Sequence, residues 1–556
     1  MPGDLPPPGV PRHRRTAGSV GRSAVRAVHG MVATSQPLAA QAGLAVLQRG
    51  GNAVDAAIAC NAMLGVVEPM SCGIGGDLFA LVWEARTQTL HGLDASGRSP
   101  YGATIKAIES RGLRELPEFG PLSWSVPGAV DGWEALRARF GTWKLGALLE
   151  PAIAAAEDGF PVSEVIAGFW SAARDALVEH AGSSRTFLPA GRAPRAGEIF
   201  RNGELARTYR EISQQGRDAF YRGRIARDLV AFSARSGGLF TAEDFAETAA
   251  SWVQPISTSY RGAEIVELPP PGQGLAVLQM LNLLEAWELS ALGPRSAEYW
   301  HLLIEAKKLA FADRARLYAD PAMARVPVEE LLSKSYAAER RQRIDPLRAA
   351  IDVPAGDPRL SRGGTVYLCA VDNERNAVSL IQSNYRHFGS KMAPDGLGFA
   401  LQNRGSQFAL DPLHPNRLEP HKRPFSTIIP AMALRKGKPW LVFGVMGADM
   451  QPQGQVQALV NLLDFGMGLQ AAGEAPRIEH LGSATPTGRP KAEGGGTLQI
   501  ERGIPPAVFA ALVGRGHRAE WASRNGGGYQ AIAIDEETSA LAGGSESRSD
   551  GCAVGY

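Results

Sequence analysis

The spacing of apolar residues in the first part of the chain alternates between helical and strand-like periods. It predicts a helix over Ser35–Gly51 with Ser35 as its cap. A second, more apolar helix is expected over Ala53–Val67 and is too short to cross a membrane. The Gly-rich stretch Ser71–Asp77 then leads into a strand-like run at Leu78–Trp83.

The middle of the chain has mainly helical periodicity. Helices are expected from about Ala129 to Leu292, and the run Pro269–Gly272 interrupts them as a rigid turn. Apolar residues spaced by three and four then predict a helix over Ser296–Leu317.

A change of period follows this helix. Residues 352–364 (DVPAGDPRLSRGG) have no periodicity and are interpreted as an exposed linker. Immediately after it, Thr365–Val371 and Asn376–Gln382 are β-rich runs whose spacing indicates a hairpin. Further elements are expected downstream, namely strands at Ala431–Leu434 and Leu441–Val445 and a helix at Gln453–Phe465.

The composition of the chain mainly excludes certain classes of binding partner. The chain has 556 residues, a formal net charge of +2 and 44% hydrophobic residues, so no global charge favours nucleic acid or an anionic membrane as a partner. Residues 1–27 are rich in Pro, Gly, Ser and Arg and lack the apolar segment of a signal peptide. We interpret them as a flexible arm and expect a cytoplasmic protein.

The cysteines and histidines show no metal-binding spacing. The four cysteines form no CxxC pair and no disulfide framework, and the ten histidines include no HExxH pattern. We therefore predict neither a metal nor a cofactor.

The junction at Gly364–Thr365 is the most informative local feature. A hydroxyl is a poor nucleophile unless a base lies within hydrogen-bond reach. Cleavage just before a Thr supplies that base in the same residue, because an α-amine has a pKa of about 7.7–8.0. Without further information, an ordinary junction of a loop with a strand is the better explanation of the pattern.

Other segments of the chain support cleavage before Thr365. They include GGNAVDAAIA, VVEPMSCGIGGD, SVPGAVDGW, ELPPPGQG, EAKKLAFADRARLYADP, GTVYLCAVDNERNAVSLIQSNYRHFGS, KRPFSTIIPAM, FGVMGADMQPQGQVQALVNLLDFGM and SRSDGCAVGY. Through these segments the chain resembles the γ-glutamyltranspeptidase family from about Met31 to Tyr556.

The resemblance implies a four-layer αββα sandwich of the N-terminal-nucleophile type. It also implies a proenzyme that cuts itself between Gly364 and Thr365, so that residues 28–364 and 365–556 form a heterodimer within one sandwich. The acyl group of an amide substrate would be transferred to Thr365 and then to water or an amine.

The resemblance assigns five more residues to the site. Ser383 matches a family Thr that hydrogen-bonds the nucleophile and retains its hydroxyl. Gly447 and Ala448 match two glycines whose N–H groups form the oxyanion hole, although a plain turn is the alternative. Ser426 and Thr427 match a Ser pair that contacts the substrate carboxylate, although a structural turn would also explain them.

Four positions of the substrate pocket depart from the family pattern. The family Arg that binds the glutamyl α-carboxylate falls at Ser96, with Arg98 two residues further along. A family Asn falls at Tyr385, and the Gln and Asp that bind the α-ammonium fall at Arg404 and Gln407.

Arg404 is the residue that bears most directly on the identity of the substrate. An Arg repels an ammonium and binds a carboxylate in a bidentate contact. We therefore expect a small acid without the glutamyl amine, such as oxamate or a dicarboxylic monoamide. The alternative is that Arg404 faces solvent or pairs with an acid such as Asp395.

Four further features are interpreted structurally. The segment SCGIGGD predicts a close approach of backbones rather than a phosphate site. His387 and His414 are expected to be packing or surface residues. Asp449 would either orient the turn beside it or cap the following helix.

These observations predict an amidohydrolase that cleaves a small carboxylate-bearing amide through an acyl-Thr365 intermediate, with hydrolysis favoured over transfer. Its partners would be the small amide and its own two cleavage products, with no nucleic acid or membrane. The alternatives are a γ-glutamyl hydrolase or transferase acting on glutathione, a cephalosporin-type acylase, and an uncleaved binding protein.

Overall fold

The computed structural model describes residues 21–351, 364–483, 485–488, 492–523 and 526–556. Most of the predicted linker 352–364 and of the predicted arm 1–27 therefore lies outside the described residues. Within the described ranges, no helix combines the length and the apolar character needed to cross a membrane.

Strands occur in both halves of the chain. In the described residues they are β1 (Val25–Ala27), β2 (Met31–Thr34), β3 (Asp77–Glu84), β4 (Thr89–Ala95), β5 (Phe160–Pro161), β6 (Ile199–Phe200), β7 (Ser251–Val253), β8 (Ile256–Tyr260), β9 (Ala263–Glu267), β10 (Gly364–Val371), β11 (Ala377–Tyr385), β12 (Ala431–Arg435), β13 (Lys438–Met446), β14 (Ile478–Leu481), β15 (Thr497–Ile500), β16 (Arg518–Trp521), β17 (Gly528–Ile534), β18 (Leu541–Ser545) and β19 (Cys552–Gly555).

Helices fill most of the first part of the chain. They are α1 (Pro37–Gln48), α2 (Ala53–Val67), α3 (Ile105–Glu109), α4 (Ala129–Phe140), α5 (Leu145–Asp158), α6 (Glu164–Val178), α7 (Ala181–Phe187), α8 (Gly203–Gln215), α9 (Arg217–Tyr221), α10 (Arg224–Ser236), α11 (Ala242–Ala246), α12 (Gly274–Leu284), α13 (Leu289–Leu292), α14 (Ala297–Leu317), α15 (Val328–Leu332), α16 (Lys334–Arg341), α17 (Met450–Leu463), α18 (Leu469–Glu474) and α19 (Pro506–Gly514). Short 3-10 turns occur at Pro121–Ser123, Pro189–Gly191, Arg404–Gln407 and Glu493–Gly495.

Two seven-stranded antiparallel sheets form the centre of the molecule. The first sheet has the strand order β1-β18-β17-β13-β12-β9-β8, and the second has the order β19-β2-β10-β11-β3-β4-β7. Each sheet contains strands from both sides of the Gly364–Thr365 junction. The two predicted segments therefore form one sandwich, as expected.

The alternation of side chains along the strands creates the layers. In β10, Tyr367 and Cys369 face the other sheet, whereas Val366, Leu368 and Ala370 face the helices. Helix α2 covers this outer face, and α12, α14 and α17 cover the outer face of the first sheet. The order helix, sheet, sheet, helix confirms the αββα sandwich.

Several predicted elements are confirmed. Helix α2 has the predicted bounds, α14 begins after its predicted cap Ser296, and β10 and β11 form the predicted hairpin. All four cysteines are free thiols, three of them buried, so the predicted absence of a disulfide framework holds.

Three predictions are corrected. Ser35 does not cap α1, because its hydroxyl donates to Glu68, and the side chain of Gln36 accepts from the first N–H groups instead. The region predicted as helical contains β7, β8 and β9. The last residues of the predicted arm, Val25–Ala27, pair with β18.

The two sheets approach most closely where Gly444 of β13 meets the ring of Tyr367. A Cβ atom at Gly444 would lie 2.7 Å from Cζ of Tyr367. The ring is fixed from its other end, because its hydroxyl lies 2.8 Å from Oγ of Ser379 on β11. Only a residue without a side chain lets the strands pack at this distance.

We predict that Gly444→Ala lowers the free energy of unfolding by about 1–3 kcal/mol, because the added methyl group forces the sheets apart. Urea-induced unfolding measures this loss. Gly168→Ala is the matched control, since a Cβ atom there meets nothing within 4 Å and the residue lies inside α6. It should leave stability unchanged or raise it by up to about 1 kcal/mol. Equal effects of the two changes would contradict this account of the sheet packing.

Candidate functional site

The site lies at one edge of the layer between the two sheets. Tyr367 of β10 packs against Gly444 of β13, and Ser379 of β11 accepts the N–H of Ala431 on β12. These two contacts set the sheets so that the start of β10 and the end of β13 reach the same edge. The Thr365 junction and the turn that follows Met446 therefore lie at that edge.

Thr365 lies at the start of β10 and is almost fully buried. Its Oγ1 lies 3.2 Å from Oγ of Ser383, on the neighbouring strand β11. The β10–β11 register shifts between Gly364 and Val366, so Thr365 sits at a bulge. Bulges re-aim side chains and are frequent beside active sites.

Ser383 is held in place from several directions. Its hydroxyl accepts the N–H of Tyr385, over 2.7 Å, and its strand partner on β3 is Asp77. Gly76 comes so close to the carbonyl of Ser383 that no Cβ atom fits there. The predicted close approach of backbones at SCGIGGD is confirmed, and it locates the neighbour of the nucleophile.

Asp77 and Arg404 form an ion pair that is completely buried. Nε of Arg404 donates to Oδ2 of Asp77 over 2.8 Å, and Nη2 lies 3.4 Å from Oδ1. Nη1 of Arg404 donates to the Thr427 hydroxyl over 2.9 Å, and the guanidinium lies 4.6 Å from the centre of the Tyr385 ring. Burial raises the pKa of Asp77, while the charge of Arg404 acts in the opposite direction.

This pair corrects the expectation for Arg404. The bidentate contact that we expected a substrate carboxylate to make is made by Asp77, so the guanidinium charge is compensated within the protein. The alternative that Arg404 pairs with an acid is confirmed, but the acid is Asp77 and not Asp395, which lies 2.6 Å from Arg185 and 3.5 Å from Arg235.

The predicted oxyanion residues form a turn with an unusual backbone. Gly447 has φ +117° and Ala448 has φ +52°, which costs a residue with a side chain of the order of 1 kcal/mol. Both carbonyls are engaged. That of Gly447 accepts from Met450, and that of Ala448 accepts from Gln451 and, over 2.9 Å, from Nε2 of Gln273.

Gln273 and Arg314 fasten this turn to the rest of the site. Nε2 of Gln273 also donates to the carbonyl of Thr427 over 2.7 Å, so one side chain bridges the turn and the Arg404 cluster. Arg314 donates to Oε1 of Gln273 and, over 2.7 Å, to Asp449. Asp449 therefore orients the turn and makes no capping hydrogen bond to α17.

The electrostatics of the turn follow from these contacts. Burial by itself raises the pKa of Asp449, but the charges and hydrogen bonds of Arg314, together with Lys307 and Arg386, bring the pKa of that carboxyl below its usual value. The carboxylate is thus ionised at neutral pH beside a buried cation.

Ser426 has a buried hydroxyl that finds no hydrogen-bond partner among the described residues. Such a group costs about 1–3 kcal/mol unless a ligand or water satisfies it. Ser426 precedes Thr427, whose hydroxyl accepts from Arg404 and can still donate its own hydrogen. The two hydroxyls thus offer donors next to the guanidinium.

The remaining predicted residues are only partly brought together. Gln407 closes the 3-10 turn that begins at Arg404 and is buried. Ser96 donates instead to Asp94 over 2.6 Å, and Arg98 donates to the carbonyl of His421 over 3.0 Å. Across the described part of the chain, no hydrogen bond or ion pair joins Ser96 or Arg98 to Arg404.

Sequence reasoning missed Asp77, Gln273 and Arg314 as parts of the site. Each lies inside a segment that carries the resemblance, respectively SCGIGGD, ELPPPGQG and FADRARLYADP. The two histidines behave as expected: His387 packs against Phe169, and His414 lies 3.0 Å from the carbonyl of Ala315.

Comparison with known proteins places this geometry in a family. The family model described as Gamma-glutamyltranspeptidase matches residues 39–556. The chain is similar to the glutathione hydrolase-like YwrD proenzyme of Bacillus subtilis, with 37% identity over 94% of this chain and 98% of that protein. It is also similar to the oxamate amidohydrolase proenzyme of Klebsiella pneumoniae, with 35% identity over 95% and 98% of the two chains.

A solved structure agrees with these matches. The crystal structure of cephalosporin acylase from Bacillus halodurans superimposes with a TM-score of 0.90 and 42% identity, covering 98% of this chain and 99% of that one. The similarity extends over the whole sandwich, including both sides of the Gly364–Thr365 junction.

We predict that Asp77→Ala destabilises the protein by about 3–5 kcal/mol, because it leaves the buried charge of Arg404 without a counter-ion. Replacing both residues, as Asp77→Ala with Arg404→Leu, should restore part of that loss. A double-mutant cycle in urea measures the coupling. Asp175→Ala, which removes an exposed partner of Arg174, should change stability by less than about 0.5 kcal/mol. Additive effects of Asp77→Ala and Arg404→Leu would show that the two charges do not depend on each other.

Proposed function

Because this chain belongs to the gamma-glutamyltranspeptidase family, we propose that it is a proenzyme that cuts itself between Gly364 and Thr365 and then acts as an amidohydrolase with Thr365 as nucleophile. The observation that carries the proposal is the 3.2 Å contact between Oγ1 of Thr365 and Oγ of Ser383 at the start of β10. The junction also reaches the same sheet edge as the Gly447–Ala448 turn.

The chemistry follows from this arrangement. Cleavage frees the α-amine of Thr365, which takes the hydroxyl proton while Oγ1 attacks the substrate carbonyl. The Ser383 hydroxyl positions Oγ1 through its hydrogen bond. The carbonyls of Gly447 and Ala448 are held by α17 and Gln273, so their N–H groups are the donors that the turn offers to an oxyanion.

The acyl-enzyme is resolved by the same groups. The amine leaves with the proton carried by the α-ammonium, and the acyl group remains as an ester on Thr365. Water then attacks this ester, the α-amine accepts a proton from it, and Thr365 is regenerated with release of the acid. We favour hydrolysis over transfer, since neither the sequence nor the described residues single out a site for an acceptor amine.

The substrate class follows from the charges near the acyl pocket. The two positions at which the family binds an α-ammonium hold Arg404 and Gln407, neither of which carries a negative charge, and the carboxylate of Asp77 is already paired with Arg404. Ser426 and Thr427 supply hydroxyl donors, which a substrate carboxylate would satisfy. We therefore propose an acyl group that bears a carboxylate and lacks an amine, such as that of oxamate.

A second candidate is removal of a larger acyl side chain, as from a cephalosporin. The extent of the match to the cephalosporin acylase structure favours it. Action on a γ-glutamyl amide is less well supported, because the carboxylate of Asp77 is already paired with Arg404 and leaves no free negative charge for the glutamyl ammonium. The cytoplasmic location also stays a prediction.

Processing gives the first test. Wild-type protein should yield two chains of about 39 and 20 kDa, the shares of the 59.1 kDa chain that 364 and 192 residues make up. Thr365→Ala removes the nucleophile and should stay one inactive chain. Denaturing electrophoresis and an amidase assay measure both properties. An intact wild-type chain without amidase activity would instead favour the binding-protein alternative.

A substrate panel gives the second test. The matured enzyme should hydrolyse oxamate with a kcat/KM at least about tenfold above that for γ-glutamyl-p-nitroanilide, because a single well-placed polar contact is worth about 1.4 kcal/mol or more. Ser426→Ala should lower kcat/KM for the acidic amide by about tenfold and leave that for a neutral amide unchanged. A preference for the γ-glutamyl compound would refute the proposed pocket.

A further inference from the structure

A small lobe of the second half of the chain rests on helix α14. The lobe consists of β14, β15, β16 and α19, and it meets α14 through three buried histidines. We call this contact the histidine seam. His301 of α14 is 0% exposed, and His480 and His517 of the lobe are 2% and 5% exposed.

The hydrogen bonds of His301 fix where its proton lies. Its Nε2 lies 2.7 Å from the carbonyl of Asp345, which can only accept, so Nε2 carries the hydrogen. Nδ1 is then an acceptor. It lies 2.8 Å from Nε2 of His517, which must therefore be the donor.

His480 is bound in the same way. Its Nε2 lies 2.8 Å from the carbonyl of Gly495 and so carries the hydrogen. Its Nδ1 accepts from the ammonium of Lys307 over 3.0 Å. Lys307 also donates to the carbonyl of His480 and, over 2.7 Å, to the hydroxyl of Ser483.

A second proton on the imidazole of His301 or of His480 removes a hydrogen bond that holds the seam together. Hydrogen on Nδ1 of His301 would face the N–H of His517, and hydrogen on Nδ1 of His480 would face the ammonium of Lys307. The added charge would also meet a cationic surrounding, since Glu305 is already bound to Lys308 over 2.7 Å. The charged side chains facing the seam are Glu305, Lys307, Lys308 and Arg515, with Arg314, Asp449 and Glu479 beyond Lys307.

The titration of the three imidazoles agrees with this geometry. Burial is the main cause that lowers the pKa of each of them. Lys307 and Lys308 lower the pKa of His480 further through their charges, although burial also lowers the pKa of both lysines. Burial, followed by Lys308, lowers the pKa of His517 to about 2. All three are neutral in the docked lobe at neutral pH.

The seam is connected to the Gly447–Ala448 turn. The side chain of Gln453 accepts from the N–H of His480 over 2.8 Å and donates to the carbonyl of Asp449 over 2.8 Å. The chain that leaves the lobe also backs the turn, because Cα of Gly527 lies 3.1 Å from the place of a Cβ atom on Gly447.

The same cluster resembles a metal centre, because His301, Glu305 and His517 have donor atoms within 4.8 Å of one another. Their hydrogen bonds argue for another role. Oε1 of Glu305 accepts from Lys308, its Oε2 accepts from the N–H of Ala350, and the two imidazoles bind each other. The ammonium of Lys308 already supplies the positive charge that Glu305 requires.

We propose that the histidine seam is an acid-labile support of the Gly447–Ala448 turn: neutral imidazoles hold the lobe on α14, and their protonation releases the lobe. The release itself does not depend on the proposed function. Only its consequence for activity does, because that requires the turn to serve Thr365.

The sign of the pH dependence follows from linkage. Each histidine has a lower pKa in the docked lobe than the value of about 6.5 that it has when exposed. Docking is therefore strongest above pH 6.5 and weakens as the pH falls below it. The equilibrium for opening rises by up to about tenfold per pH unit for each histidine that must be neutral.

Hydrogen exchange of the matured enzyme tests the proposal. Between pH 6.5 and 5.5, protection factors of the lobe amides should fall by about 30-fold if His301 and His480 both titrate, because each imidazole with an exposed pKa of about 6.5 contributes about fivefold over this range, whereas those of β17 should stay constant. In the double variant His301→Gln, His480→Gln each side chain keeps a donor and an acceptor but cannot take a proton. Its lobe protection should fall by no more than about fivefold in this range, because only His517 of the seam can still take a proton.

His414→Gln is the matched control. This imidazole is also doubly hydrogen-bonded, to the carbonyl of Ala315 and the N–H of Asn416, but it lies outside the lobe. The variant should retain the wild-type response of the lobe. Lobe protection that is independent of pH in the wild type, or an unchanged response in the glutamine double variant, would overturn the proposal.

The two proposals can fail separately. If the glutamine double variant does not fold, the wild-type profile alone still decides, since its pH independence would suffice to reject the seam. An uncleaved or inactive wild-type protein would refute the proposed function and leave the exchange measurement interpretable.

Discussion

Asp77 and Arg404 can stay charged inside the protein only because each is the counter-ion of the other, and the site is built around this pair. Asp77 is the strand partner of Ser383, which contacts Thr365. Arg404 extends from Asp77 to Thr427, and Gln273 continues from Thr427 to Ala448. One buried chain of hydrogen bonds thus links the nucleophile strand to the turn on the other sheet.

Much of the fold could be predicted, since strand alternation and helix periodicity are local signals. The hairpin of β10 and β11 and the helices α2 and α14 show them clearly. Strands β7, β8 and β9 do not, because they are short: β8 and β9 form a tight hairpin, while β7 and the other edge of β9 pair with strands far away in sequence. Ser35 failed as a cap because Glu68, 33 residues later, takes its hydroxyl.

The candidate site was predictable to a similar degree. The resemblance identified Thr365 and Ser383, and the structure brings them together. It could not reveal that Arg404 is neutralised, because Asp77 lies 327 residues earlier in the chain. This distant partner changes the interpretation of the pocket: the charge of Arg404 is not free to attract anions, and the paired carboxylate of Asp77 offers no free charge to an ammonium.

The central claim is that the hydroxyl of Thr365 carries the acyl group. Mass spectrometry of enzyme quenched in acid during turnover measures this directly. We predict a peptide that begins at Thr365 and bears the mass of the acyl group as an ester. An acyl group on a different residue, or a peptide that still joins Gly364 to Thr365 in fully active enzyme, would contradict the account.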